Sequence, residues 1–74
     1  MWQRLGTLTP REYEILTHVI AGLLNKQTAY TLNISEKTVK VHRARIMEKM
    51  GVDSVAQLVR LAEKGGVQPA EVSI

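Results

Sequence analysis

Residues 25–50 read NKQTAYTLNISEKTVKVHRARIMEKM, and this stretch decides the fold. Apolar positions recur at helical spacing on both sides of Asn33-Ile34-Ser35. Asn33 tolerates the left-handed conformation that ends a helix, Ser35 can cap the next one, and Ile34 can staple onto Val39. The spacing predicts a short helix over 26–32, capped by Asn25 with Ala29 and Leu32 inward, and a longer helix over 36–50 that stops at Gly51. A short helix, a tight turn and a longer basic helix form a helix-turn-helix pattern.

Upstream, Thr9-Pro10-Arg11-Glu12 is a capping box with proline at the first helical position. Tyr13, Leu16, Val19, Ile20 and Leu23 follow at helical spacing, so a helix is expected over 10–21, stopped by Gly22. Downstream, Ser54 caps a helix over 55–64 that stops at Gly65-Gly66. The expected fold is all-α, a four-helix bundle containing the helix-turn-helix. Residues 1–7 read as a linker remnant, from which Trp2 and Leu5 can still dock on the core. Residues 8–67 read as the folded domain. From residue 67 the chain carries Pro69 and little pattern, and 68–74 reads as a loose, flexible tail.

With 74 residues and 8.3 kDa there is room for one domain. Apolar residues make up 45 % of the chain, enough for a core. The absence of cysteine excludes disulfides and thiolate metal sites, and His18 and His42 have no zinc-ligand spacing. Stability must come from helix packing or from association. No nucleophile, base and orienting group assemble from these residues, so neither an enzyme nor a cofactor is expected. No apolar run approaches the roughly 20 residues of a membrane span and no signal peptide is visible, which predicts a cytosolic protein.

The net charge of +3 is unevenly placed. Residues 26–49 hold six basic residues (Lys26, Lys37, Lys40, Arg43, Arg45, Lys49) against Glu36 and Glu48, and so carry the whole positive excess. That concentration suits an anionic partner, with nucleic acid the leading candidate, while a solvated helix face fits the charge alone equally well. On a helical wheel of the third helix, Val39, Ile46 and Met50 share one side, with Arg43 at the edge of that stripe and His42 on its other flank. The opposite side carries Lys37, Lys40, Val41, Ala44 and Glu48, with Arg45 alongside. Exposed Val41 and Ala44 among lysines suit a base-reading surface: alanine permits close approach and valine can touch a thymine methyl. Lys40 can donate to guanine O6 and N7, or to a phosphate. Lys37 lies near the helix start, the part that enters a groove deepest. At the start of the second helix, Asn25, Lys26, Gln27 and Thr28 combine free amides, a dipole end, a cation and polar side chains, a combination that binds phosphate.

The fourth helix carries Val55, Leu58, Val59, Leu61 and Ala62, a stripe wider than one core face needs. If Val55, Leu58, Val59 and Ala62 turn inward, Leu61 and part of Leu58 remain nearer solvent and can form a symmetric dimer seam. Asp53-Ser54-Val55 superficially resembles the phosphopantetheine site of acyl carrier proteins. That reading fails on the basic charge, on the single helix that follows Ser54, and on the sufficiency of Ser54 as a cap.

LTPREYEIL (8–16), GLLNKQTAYTLNISEKTVKVHRARIMEKMGV (22–52) and SVAQLVRLA (54–62) together resemble the LuxR/FixJ/NarL-type helix-turn-helix DNA-binding domain, nearest to the effector domains of FixJ-like two-component response regulators. The resemblance covers nearly all of residues 8–67. It implies a transcription regulator whose third helix reads the major groove of double-stranded DNA at a pseudo-palindromic operator. The fourth helix would make a homodimer through Leu58 and Leu61, with RNA polymerase a further candidate partner, and no membrane or small-molecule ligand. The expected location is cytoplasmic, at the nucleoid when bound to DNA. By position, Lys40 and Val41 match base-proximal residues, with Lys37 and Ala44 beside them. Lys26 and Thr38 match backbone-contacting residues; Asn25, Thr28 and Arg45 join them on the phosphate side. His42 matches a histidine that packs against the scaffold, and Glu12 an acid that braces the third helix, here through Arg43 or Lys49. Thr28 and Thr31 depart from the pattern, replacing residues that are usually apolar or helix-favouring.

Overall fold

The computed structural model describes residues 5–71. Four helices follow in order: α1 (Pro10–Ile20), α2 (Asn25–Leu32), α3 (Glu36–Met50) and α4 (Val55–Lys64). No strand occurs among the described residues. The expected boundaries of α3 and α4 match, and α1 and α2 differ from expectation by one residue each. Three of the four starts follow the cap chemistry of the sequence. Thr9 accepts from the Glu12 amide at 3.1 Å, while Glu12 accepts from the Thr9 amide at 2.9 Å. Ser35 accepts from the Thr38 amide at 3.0 Å, and Ser54 from the Gln57 amide at 3.2 Å.

All four helices end by one device. A residue with positive φ follows or closes the last turn: Gly22 at 82°, Asn33 at 57°, Gly51 at 69° and Gly66 at 77°. The amide of the next, apolar residue then donates to the carbonyl five positions back: Leu23 to His18, Ile34 to Ala29, Val52 to Met47 and Val67 to Ala62, at 3.0–3.1 Å. This satisfies orphan carbonyls and returns an apolar side chain toward the bundle. Ile34 and Val52 pack against the core and Val67 is buried within it.

The core gathers Ile15, Leu16 and Val19 from α1, Ile46 and Met50 from α3, and Leu58 and Ala62 from α4, closed by Val67. α3 packs on both α1 and α2, and α4 packs on α1. Two expectations are corrected here. Tyr13 is 41 % exposed, and Ile15 occupies the inward position beside Leu16. The expected loose tail is anchored at its start: Val67 is buried, and the Ala70 amide donates to the Thr17 carbonyl at 2.9 Å. Leu5, read within a linker remnant that could still dock, packs against the core. Trp2 and residues 72–74 lie outside the described residues.

Candidate nucleic-acid interface

Burial of Val39, Ile46 and Met50 fixes the rotation of α3 about its axis. The opposite side therefore faces outward: Lys37, Lys40, Val41, Ala44, Arg45 and Glu48 are all exposed. Val41 is 42 % exposed, an apolar side chain set among cations. Thr38 is half-buried, and its hydroxyl accepts from Ser35 Oγ at 2.9 Å. Glu36 in the first turn and Lys49 in the last both suit the helix dipole.

The start of α2 is built differently from the expectation. Leu24, not Asn25, is the N-cap, and no side chain caps the first turn. Leucine has no acceptor to offer, and the first turn holds no acid. Gln27 Oε1 reaches back to accept from the Leu24 amide at 2.8 Å. Asn25 instead begins the helix and turns its Oδ1 to the Arg43 guanidinium on α3. Lys26 is exposed beside them. The result is a helix start with no side-chain cap and no acid in its first turn, and with two cations adjacent. Thr28 is corrected out of this group. Its side chain is 2 % exposed and its amide donates to the Leu24 carbonyl, so neither can meet a phosphate.

On α4, Leu58 is 1 % exposed and sits in the core, which removes it from a dimer surface. Leu61 is half-buried against the core, and Val55, expected inward, is 40 % exposed. The apolar stripe is thus rotated so that Leu58 and Ala62 point inward, with Val55 and Leu61 on its two flanks.

The brace on α3 is Lys49. Its Nζ donates to Glu12 Oε1 at 2.7 Å and to the Thr7 carbonyl at 3.2 Å. Glu12 is 2 % exposed. Its carboxyl is held below the usual range by the Lys49 hydrogen bond first and the Thr9 amide next, against the opposing effect of burial. Arg43, the other candidate partner, is committed to Asn25. That link across 18 residues has no local signal in the sequence. His42 is half-buried, and its Nδ1 is enclosed without a hydrogen-bond partner among the described residues. No cluster of three or more His, Cys, Asp or Glu forms a metal site among the described residues, and no helix there is long and apolar enough to cross a membrane.

A short helix, a three-residue turn and a longer helix with an exposed basic face define a helix-turn-helix module. The family model described as "Bacterial regulatory proteins, luxR family" matches residues 6–62, and the chain belongs to that family. It is 52 % identical over 67 residues to the transcriptional regulatory protein FixJ of Rhizobium meliloti, covering 90 % of this chain and 33 % of that protein. It is 57 % identical over 58 residues to the response regulator protein TmoT of Ectopseudomonas mendocina, covering 78 % of this chain and 26 % of that one. The solved structure of the response regulator StyR superposes with a TM-score of 0.82 at 53 % identity, covering 84 % of this chain and 31 % of that chain. The chain spans about a third of the length of such relatives.

Proposed function

We propose that this chain is the output module of a two-component response regulator and binds double-stranded DNA sequence-specifically, with α3 in the major groove. The observation that carries this reading is the outward face of α3, where exposed Lys37, Lys40, Val41 and Ala44 lie together. Lysines there donate to guanine edges, and Val41 and Ala44 accept close approach and a thymine methyl. Lys26, Thr38 and Arg45 hold phosphates, Lys26 with help from the uncapped start of α2, while Asn25 is engaged by Arg43. Two copies related by a two-fold axis, meeting through α4 with Leu61 at the seam, would read a pseudo-palindromic operator. RNA polymerase is the candidate partner downstream, and the nucleoid the place of action. The mechanism is recognition without chemistry.

The test is selection of bound duplexes from a random pool at two salt concentrations. The expected result is one motif with two-fold symmetry, and an affinity that falls linearly on a log–log salt plot. Recovery of no motif, or binding indifferent to salt, would overturn the reading.

A further inference from the structure

We infer that Arg43 is a positioning residue that sets the start of α2 against α3, and so holds the phosphate contacts and the base contacts in register. The inference rests on the proposed DNA reading. Arg43 lies on α3 at the edge of the core stripe and is half-buried. Its guanidinium donates to Oδ1 of Asn25, the first helical residue of α2. The pair joins the two helices by their side chains near the end of α2 that is farthest along the chain from the Asn33-Ile34-Ser35 turn. The turn fixes one end of α2 through Asn33 and the Ile34–Ala29 hydrogen bond. The Arg43–Asn25 bond fixes the other.

The chemistry suits positioning. A guanidinium is planar, always charged and directional, so a bond from it constrains angle as well as distance. Asn25, Lys26, Glu36 and Arg43 line one cavity of about 430 Å³, which places the pair beside the exposed Lys26. Asn25 is the first helical residue and its Oδ1 accepts from Arg43, while Leu24 stands in the cap position without an acceptor. A cap at Asn25 would stabilise α2 locally; the asparagine is committed to the contact between helices instead. Helix docking into DNA depends on this angle, since base edges and phosphates must be met by two helices at once.

The 74-residue chain is tested by fluorescence anisotropy against its selected duplex and a scrambled duplex, across a salt series. The proteins are wild type, Arg43→Met, Asn25→Ala and the double variant, with circular dichroism melts to establish folding. Each single variant is expected to weaken the selected duplex about tenfold and the scrambled one by less than about threefold, with the double variant no weaker than the worse single. Arg43→Lys keeps the charge and is expected to lose the same discrimination with an unchanged salt slope. Should Arg43→Met fail to fold, Arg43→Lys and Asn25→Ala carry the same comparison. Equal loss on both duplexes with a salt slope reduced by about one would make Arg43 a phosphate contact and overturn positioning. Multiplicative losses in the double variant would overturn it too. A discriminating wild type beside an equally discriminating Arg43→Met overturns this inference alone; a wild type that selects no motif overturns it together with the DNA reading.

Discussion

Lys49 Nζ stands 2.7 Å from Glu12 Oε1, tying the last turn of α3 to the first turn of α1. Glu12 is enclosed while the Lys49 side chain is 34 % exposed, so the pair is only partly shielded from solvent. The same carboxylate oxygen accepts from the Thr9 amide, which makes one group serve both a helix cap and a brace between helices.

Glu12→Gln should therefore destabilise the chain at pH 7 by about 1–3 kcal/mol in urea unfolding, the range for a charged hydrogen bond in a partly shielded site. The pH dependence follows from the lowered carboxyl. The stabilisation is complete above the ordinary carboxylate value and is lost as pH falls through the lower value in the fold. The wild type and Glu12→Gln should converge in stability once the pH drops below that range. A gap that persists undiminished at pH 2 would assign the effect to packing.

Lys40→Ala and Lys26→Ala should separate reading from holding. Lys40→Ala is expected to cost about 1–3 kcal/mol and relax preference at one base position. Lys26→Ala is expected to weaken all duplexes alike and lower the salt slope by about one. Binding curves for both variants on matched and mismatched duplexes decide the assignment.

Leu58→Ala should act on stability, because the side chain is fully enclosed. A loss of about 2–5 kcal/mol is expected in denaturant unfolding. A loss confined to binding at paired half-sites, with unfolding unchanged, would return Leu58 to the dimer seam.

Gly22→Ala and Gly65→Ala should lose stability for opposite reasons. Gly22 has positive φ and open space where a Cβ would stand, so its cost, about 1–2 kcal/mol, is backbone alone. Gly65 has an ordinary φ of −80°, but a Cβ there would fall 2.5 Å from Leu5 Cδ1. Removing the Leu5 side chain as well, in Leu5→Ala/Gly65→Ala, should make the Gly65→Ala step less costly. Leu5→Ala should leave the cost of Gly22→Ala unchanged, as melts of the wild type, the three single variants and the two double variants would read.

Much of the bundle was legible because its instructions are local. Thr9, Ser35 and Ser54 cap their own helices, and Asn33, Gly22 and Gly51 end them, within a few residues of sequence. The rotation of α3 was legible too, since Val39, Ile46 and Met50 recur with the helical period. What escaped depends on how one helix lies against another. Asn25 has the composition of a cap, yet a guanidinium 18 residues away claims its oxygen. Leu58 and Val55 both belong to an apolar stripe, and only the angle of α4 against α1 decides that the first is enclosed and the second 40 % exposed. The hydroxyl of Thr28 suggests solvent, whereas its place on α2 turns it inward.

The contact of Leu5 with Gly65, together with the Ala70–Thr17 hydrogen bond, has a dynamic meaning. The beginning and the end of the described fold are fastened to each other and to α1. Each end is thereby held by a contact beyond its own helix, which should suppress the fraying usual at the termini of small bundles. Amide exchange near Gly65 and Val67 should then slow to the pace of the interior, and loosening either end should speed exchange at the other.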